Sequence, residues 1–412
     1  MKRLAVTCCA WGERWPLGTL ADNGSALLFE YSPEALRRGI EFSPRYLKLQ
    51  SGAYGDLPRH QHRLPGMIAD ALPDGWGMLM MDKLFRKQGW APTRLSPLDR
   101  LAYIGERAVG AFSFEPAEAL EWPEADLSLL ELAHEAQSAQ SANGGKDGRV
   151  LSRLAMLGNS PHGSRPKVLL HYDAAADQVS ALPDAAGTAW SIKFPSRGEH
   201  KELCAVEHVY AVLARLCGLA MPATRHFDLD RRTAAFGAER FDRSHGMRVP
   251  VHTLAGMLHS DFRAPSLDYS TLLRATRLMT RDESQVRAAF ERCVFNVVFH
   301  NRDDHARSVA FRMNQRWEWQ LAPCYDLSFS TGPGGEHQMA VMGESAEPSA
   351  EDLLRLAADA ALPRAWARQT VARIAEHGPA FALLARTAPV RAATVKAIAK
   401  AIDANCLRML QL

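Results

Sequence analysis

Short stretches of the first 115 residues alternate apolar and polar positions, as half-buried strands do. Three such stretches are "LAVTCCAW", "SALLFEYS" and "GAFSFEP". Ahead of the last one, "MIADALPDGWGMLMMDKLFRKQG" predicts a helix preceded by a loop, because Pro73, Asp74 and Gly75 favour turns. The pattern therefore predicts a β-rich N-terminal module.

The centre of the chain continues with strands and one clear helix. "LSRLAMLGNSPHGSRPKVLLHYD" predicts a strand-forming stretch around a glycine-containing loop, and "TAWSIKFPS" and "TAAFGAERFDR" predict two more strands. "HKELCAVEHVYAVLARLCGLAMP" has apolar residues at three- and four-residue steps, which predicts an amphipathic helix ended by Gly218. The small, polar stretch 136–148, "AQSAQSANGGKDG", predicts a linker or mobile loop.

Helical patterns dominate from about residue 265 onward. The exception is "SVAFRMN–QR–WEWQLAP", which predicts a hairpin, while the tail 349–412 is alanine-rich and predicts helices. Strands followed by helices predict an α+β chain with a cleft between two lobes. We place the boundaries at 1–120, 121–243 and 244–412.

Composition narrows the class of protein. The chain has 412 residues, 47% of them hydrophobic and 23% charged, and a formal net charge of +3. This composition is that of a globular protein, and the net charge is too small to indicate nucleic acid or membrane binding. Seven scattered cysteines without a CxxC pair indicate free thiols in a reducing compartment. The N-terminal apolar run is too short for a signal peptide, and no stretch is long enough to span a membrane, so we expect a cytoplasmic protein.

The stretch "HNRDDHARS" places charged residues between two apolar flanks. Asp303 precedes the predicted hairpin and Asp326 follows it, so the hairpin brings the two carboxylates close. Such a pair suits acid–base chemistry or Mg²⁺ binding, although both residues also suit turn and helix caps. Protein kinases have the same order of a catalytic Asp, a hairpin and a metal-binding Asp. Ser308 stands where that pattern has Asn.

Two further features suggest a phosphate site. Lys193 lies inside the apolar strand "WSIKF", which is costly unless its ammonium reaches a cleft or a partner; Glu202 and Glu207 follow on the next helix. An edge lysine at the surface is the alternative. "GNSPHGSRPK", with Gly163 and Lys167, is not a Walker A loop, but its backbone N–H groups suit phosphate. Alone it is equally compatible with a plain loop.

Together these motifs resemble the HipA family, toxin kinases of bacterial type II toxin–antitoxin systems. The resemblance covers nearly the whole chain and is carried by "LPGMIADALPDGWG", "YIGERAVGAFSFEP", "SRPK", "SIKF", "ERFDR", "FHNRDDHARSVAF" and "LAPCYDLS". It implies a two-lobed protein-kinase-like fold with a β-rich N-terminal module and a mainly helical C-terminal lobe. It also implies phosphorylation of serine or threonine hydroxyls with ATP and Mg²⁺.

The resemblance assigns roles residue by residue. It implies that Asp303 is the catalytic base, that His305 orients the catalytic loop, and that Asp326 and Ser308 hold Mg²⁺. The nucleotide residues that it implies are the phosphate lysine Lys193 with its partner Glu207, the hinge residues Glu239 and Phe241, and Gly163 and Lys167 of the glycine-containing loop. It also implies inhibitory autophosphorylation in that loop, at Ser160 or, failing that, Ser164.

The family also implies partners. These are a small helix-turn-helix antitoxin (HipB-like), through which alone DNA would be contacted, and protein substrates that include aminoacyl-tRNA synthetases. The family usually has Lys and Asn where this chain has Arg307 and Ser308. A catalytically weakened protein that binds nucleotide and antitoxin is therefore the alternative. A small-molecule phosphotransferase would not explain the N-terminal module.

Overall fold

The structure is a computed structural model that describes residues 1–117, 127–141, 147–158, 162–264 and 267–411. Two five-stranded antiparallel sheets with interspersed helices come first in the chain, and a mainly helical part follows. No helix in these ranges is both long enough and apolar enough to cross a membrane.

The N-terminal module (residues 1–117) is built on the first sheet, with strand order β4-β3-β2-β1-β5. Alternation along β3 buries Leu27, Phe29 and Tyr31 and exposes the residues between them, as the sequence pattern predicts. Its elements are β1 (Lys2–Cys8), β2 (Trp15–Asp22), β3 (Leu27–Tyr31), α1 (Pro33–Arg38), β4 (Ala53–Tyr54), α2 (Gly66–Ala69), α3 (Gly75–Lys87), α4 (Pro97–Ile104) and β5 (Phe112–Glu115).

The sheet lobe (residues 127–239) carries the second sheet, with strand order β7-β6-β8-β10-β9. Its elements are α5 (Leu129–Ala139), α6 (Gly148–Leu157), β6 (Lys167–Asp173), β7 (Gln178–Ser180), β8 (Thr188–Lys193), α7 (Glu202–Leu216), β9 (Thr224–Asp228) and β10 (Ala234–Glu239). Helix α7 packs against β9 and β10. Its chain turns at Gly218, whose positive φ of 83° suits glycine.

The helical lobe (residues 243–411) follows the hinge segment 239–243. Its elements are β11 (Arg243–Ser244), β12 (Met247–Arg248), β13 (Val251–Thr253), α8 (Leu254–Leu258), β14 (Leu267–Asp268), α9 (Tyr269–Thr280), α10 (Glu283–Val298), β15 (Ala310–Met313), β16 (Trp319–Leu321), β17 (Met339–Ala340), α11 (Ala350–Asp359), α12 (Arg364–Glu376), α13 (Ala380–Thr387) and α14 (Ala392–Met409). The predicted hairpin is β15–β16, and β13 extends it to three strands.

One prediction for the start of the sheet lobe is wrong, and a second is covered by the structure only at its ends. "LSRLAML" forms part of helix α6, because its buried residues follow a helical spacing and Asp147 caps its N-terminus by accepting from the N–H of Arg149. The predicted linker 136–148 is helical at both ends, in the last turn of α5 and the first residue of α6. Residues 142–146 lie outside the described ranges.

The N-terminal module packs directly on the helical lobe through α2 and α8. A Cβ on Gly66 would lie 1.9 Å from the carbonyl oxygen of Gly256, so the two glycines allow the backbones to approach closely. A third segment, the hinge, touches the same module through Asp242, which accepts from the N–H of Gly110 at 2.9 Å. The domain boundaries at residues 120 and 243 stay predictions.

Candidate active site

A cleft of about 1080 Å³, partly open to solvent, lies between the sheet lobe and the β13–β15 sheet. The alternation of β6, β8 and β10 points one face of the second sheet into it. Residues from all three parts of the chain line it, among them Asp70, Ala111, Lys167, Lys193, Glu239, Phe241, Thr253, Tyr325 and Asp326.

Lys193 lies between two acidic side chains in this cleft. It ends β8, and its Nζ donates to Glu207 Oε1 at 2.5 Å and to Asp326 Oδ1. Glu207 comes from α7, where its side chain is only 4% exposed, and Asp326 follows the β15–β16 hairpin. The alternative of an edge lysine at the surface is therefore wrong. Glu207, the predicted partner, contacts Lys193 directly.

The electrostatics of this cluster favour its charged forms. Burial opposes ionisation, but Lys193 and Lys167 hold the pKa of Asp326 well below its usual range. Burial likewise opposes the charge on Lys193, but Asp326 and Glu207 raise its pKa above the ordinary value. Asp326 is thus an ionised carboxylate at neutral pH.

A second lysine lies next to the first. Lys167 of β6 is the registered neighbour of Lys193 on β8, and both line the cleft. Lys167 is 4% exposed, its Nζ donates to the carbonyl of His162, and burial lowers its pKa. Two ammonium groups on adjacent strands form a site that suits a phosphate chain.

The glycine-containing loop contacts the N-terminal module. The N–H of Gly163 donates to Asp74, the N-cap residue of α3, and the carbonyl of Gly163 accepts from the N–H of Trp76 at 3.1 Å. Arg307, in the predicted catalytic loop (residues 300–308, "HNRDDHARS"), donates to the other oxygen of Asp74 at 2.6 Å. Asp74 therefore joins three separate segments. Ser164 of the loop is exposed, and Ser160 lies outside the described residues.

The predicted catalytic loop follows α10, whose last turn is buried as the apolar flank predicts. The Asp303 side chain is 60% exposed, and His305 Nε2 lies 3.9 Å from its Oδ1. Ser308 Oγ donates to the backbone carbonyl of Asp303 at 3.0 Å and lies 3.0 Å from His305 Nδ1. The structure thus groups the three predicted residues, with the Ser308 hydroxyl held inside the loop.

The neighbouring Asp304 is buried and held by several hydrogen bonds. Its carboxylate is buried, and it accepts hydrogen bonds from Tyr269 at 2.7 Å and from the N–H of Gln338 at 2.8 Å, with His337 Nδ1 at 2.8 Å. A buried carboxylate with this many partners fixes the loop backbone beside Asp303.

Glu239 and Phe241 of the hinge segment line the cleft, as predicted. The Phe241 ring lies 5.3 Å from that of Tyr325, next to Asp326. The N–H groups of Glu239 and Arg240 donate to the carbonyls of Ala223 and Ala189, so they already have backbone partners. An adenine ring here would therefore sit between apolar side chains at the connection between the lobes.

The donor set fits Mg²⁺ bound together with a nucleotide. Among the residues that the structure describes, no three His, Cys, Asp or Glu side chains form a group that could hold a metal ion. Mg²⁺ is usually held by one or two carboxylates plus substrate phosphates, and the ionised Asp326 is such a carboxylate. Ser308 Oγ donates to the carbonyl of Asp303, and its lone pairs could supply a second oxygen to the metal ion.

A cleft between lobes, a strand lysine held by a helix glutamate and an aspartate after a hairpin define the class of protein-kinase-like α+β proteins. Two family models match the sequence: the HipA N-terminal domain over residues 9–115 and the HipA-like C-terminal domain over residues 159–381. The chain belongs to the HipA family.

One solved structure shows the same fold. HipA from the toxin–antitoxin system of Shewanella oneidensis MR-1, solved with HipB and its operator DNA, matches with a TM-score of 0.73 and 19% identity. The match covers 98% of this chain and 97% of that one. The proinflammatory kinase CtkA of Helicobacter pylori matches with a TM-score of 0.37 and 12% identity, over 59% of this chain and 90% of that one. No curated protein matches the sequence. The predicted two-lobed α+β fold is confirmed.

Sequence reasoning missed two residues that contact the site, Asp74 and Gln338. Asp74 was identified only as part of a turn, and its contact partners lie 89 and 233 positions further along the chain. Gln338 Nε2 donates to Asp303 Oδ1 at 2.7 Å from the segment 335–345, which resembles a stretch of the family but has no role that its residue chemistry predicts. Neither contact leaves a local signal in the sequence.

Proposed function

We propose that this protein is an ATP-dependent protein kinase that phosphorylates serine or threonine hydroxyls. The observation that carries the proposal is the Lys193–Glu207–Asp326 cluster on the wall of the cleft. Lys193 and Lys167 would bind the phosphates of ATP, and the hinge segment would receive adenine beside Glu239 and Phe241. Mg²⁺, held by Asp326 and Ser308, would neutralise charge on the phosphates when bound.

In the proposed reaction the hydroxyl oxygen of the substrate forms a bond to the γ-phosphorus of ATP. The bond between that phosphorus and the oxygen of ADP breaks, and ADP leaves with the electron pair. Asp303 accepts the hydroxyl proton, and its 60% exposed side chain is accessible to a protein substrate. His305, which lies beside Asp303, orients the loop.

The cellular role that we propose is that of a toxin in a toxin–antitoxin pair. Family membership supports this role, and the Shewanella HipA structure contains HipB and operator DNA. We propose a HipB-like helix-turn-helix antitoxin as partner, DNA contact through that partner, and an aminoacyl-tRNA synthetase as the class of substrate. Autophosphorylation at Ser160 or, failing that, Ser164 would add negative charge to the glycine-containing loop, repel the phosphates of ATP and inactivate the kinase.

One observation favours a second function, a weakened protein that binds nucleotide and antitoxin. The Ser308 hydroxyl, at the position where the kinase pattern has Asn, is hydrogen-bonded within its own loop. Mass spectrometry of the protein incubated with Mg-ATP separates the two functions. Phosphoserine supports the kinase, whereas ATP binding without any phosphate incorporation supports the second function.

The variant Asp303→Asn tests the proposed base. We expect phosphate incorporation from γ-labelled ATP to fall by about 10²–10⁴, because Asn cannot accept the proton. ATP affinity, measured by calorimetry, should stay nearly unchanged since a base acts in the chemical step. Asp403→Asn, on an exposed position of α14, is the control. Transfer at the wild-type rate by Asp303→Asn would remove Asp303 from this role.

A further inference from the structure

The segment 335–345, "GEHQMAVMGES", follows the cleft aspartate and has no role in the reaction described so far. Its strand β17 pairs in parallel with β14, and the N–H of Gly343 donates to Asp268 Oδ2 at 2.8 Å. Arg302 of the catalytic loop donates to the carbonyl of Ala346 just beyond it at 2.6 Å. Arg302 also donates to the carbonyl of Gly335, so the segment is fixed to the helical lobe at both ends.

The middle of this segment is fixed to the catalytic loop. His337 Nδ1 and the N–H of Gln338 lie 2.8 Å from the two oxygens of the buried Asp304. Tyr269, whose hydroxyl donates to the same carboxylate, accepts from Asn296 at 2.8 Å. Because Asp304 is adjacent to Asp303 in the chain, these contacts determine where Gln338 lies relative to Asp303.

The side chain of Gln338 reaches Asp303 itself. Its Nε2 donates to Asp303 Oδ1 at 2.7 Å, and His305 Nε2 lies 3.9 Å from the same oxygen. Both contacts fall on Oδ1. We propose that Gln338 is a positioning residue that holds Asp303 Oδ1, so that Oδ2 accepts the proton of the substrate hydroxyl. This inference rests on the proposed function of Asp303 as the base.

A positioning role follows from the exposure of Asp303. The terminal torsion of an aspartate is broad, so an exposed carboxylate samples many orientations unless a partner holds it. A donor anchored through its own backbone removes that freedom before substrate arrives, and orientation contributes strongly to the rate of a bimolecular step. Gln338 does not line the cleft that contains Lys193 and Asp326. Its effect should therefore appear in catalysis rather than in ATP binding.

The variants Gln338→Leu and Gln338→Glu test the inference. Both remove the N–H donor at similar side-chain size, and we expect the rate constant of autophosphorylation at saturating Mg-ATP to fall about tenfold in each. The KM for ATP should stay within about twofold of the wild-type value, and melting temperatures should be close to wild type. Gln315→Leu, at an exposed turn position in the β15–β16 hairpin, is the matched control and should behave as wild type.

A double-mutant cycle with Asp303→Asn distinguishes positioning from other effects. If Gln338 acts through Asp303, Gln338→Leu should cause no further fall in the Asp303→Asn background. The inference would be overturned if Gln338→Leu lowered the rate by the same factor in the Asp303→Asn background as in the wild-type protein. It would also be overturned by wild-type rates in both Gln338→Leu and Gln338→Glu. The proposed function would stand in either case. Absence of transfer by the wild-type protein would overturn the proposed function, and the inference with it.

Discussion

At the scale of single residues, Asp326 determines how the cleft responds to a ligand. Its carboxylate is ion-paired with Lys193, which Glu207 also holds. The backbone of Asp326 is left-handed, with φ of 56°, a conformation that aspartate tolerates better than most residues. In the proposed function, phosphates of ATP would compete with Asp326 for Lys193 and leave the Asp326 oxygens available to a metal ion.

Ser308 gives a prediction at the same scale. We expect Ser308→Asn to transfer phosphate at an equal or higher rate than wild type. An Asn amide can donate to the carbonyl of Asp303, as Ser308 Oγ does at 3.0 Å, while its carbonyl oxygen remains free for a metal ion. Ser308→Ala should lower the rate about tenfold, since it removes the loop hydrogen bond. Labelled phosphate incorporation measures both.

The matched control for these variants is Ser284→Ala, an exposed position in the first turn of α10. A large loss in Ser308→Asn would contradict the prediction. It would mean that the loop is built around the hydroxyl and its contact with His305 Nδ1 at 3.0 Å.

At the scale of elements, the sequence predicted strands and helices well where the periodic pattern was long. Strands β1, β3 and β5 of the first sheet, the helix α7 and the β15–β16 hairpin were predicted, whereas β2 and β4 were not. Helix α6 was not, because seven residues of mixed apolar pattern fit a strand or a short helix equally well. The cap at Asp147 and the packing of α6 on α3 stabilise the helical conformation of this stretch.

The site shows the same division between local and distant information. Lys193 and Asp326 could be predicted, since a lysine in an apolar strand and an acid after a hairpin are local anomalies. Their direct ion pair could not, because it joins residues 133 positions apart. The contacts of Asp74 and Gln338 depend in the same way on how distant elements pack.

Asp74, at the start of helix α3, should make the stability of the fold depend on pH. Burial opposes the charge on Asp74, but His162, Arg307 and the N–H of Gly163 together lower its pKa to about 2. Burial lowers the pKa of His162 to about 4, so His162 is neutral at pH 7 and Arg307 supplies the charge there. A carboxylate with a lowered pKa stabilises the fold above its ordinary pKa of 3.8, and this contribution is lost as the pH falls toward 2.

We therefore expect Asp74→Asn to lower the free energy of unfolding by about 2 kcal/mol at pH 7. The difference from wild type should shrink as the pH is lowered from about 5, over the range in which the native state persists. Denaturant titrations at a series of pH values measure it. Asp56→Asn, at an exposed position of the same module, is the control. A difference that stays constant with pH would show that charge is not the cause.

At the scale of the whole molecule, the hinge segment holds the N-terminal module on the two lobes. Asp242 is buried; it accepts from the side chains of Arg240 and Arg243 at 2.8–2.9 Å and from the N–H of Gly110. Arg248 donates to the carbonyls of Gly110 and of two neighbouring residues. Burial lowers the pKa of Arg243 to about 9, and the negative charge of Asp242 opposes this shift.

We expect Asp242→Ala to destabilise the protein by about 3–5 kcal/mol, because it leaves buried arginines without their counter-charge. The loss should be greatest where the N-terminal module meets the hinge, since the N–H of Gly110 also loses its acceptor. Limited proteolysis should then release a fragment of the size of residues 1–117 before the rest is degraded.

The control variant Asp228→Ala removes an exposed ion pair with Lys201 and should change stability by less than about 1 kcal/mol. Uniform degradation of Asp242→Ala, without such a fragment, would mean that α2 and α8 hold the module without help from the hinge.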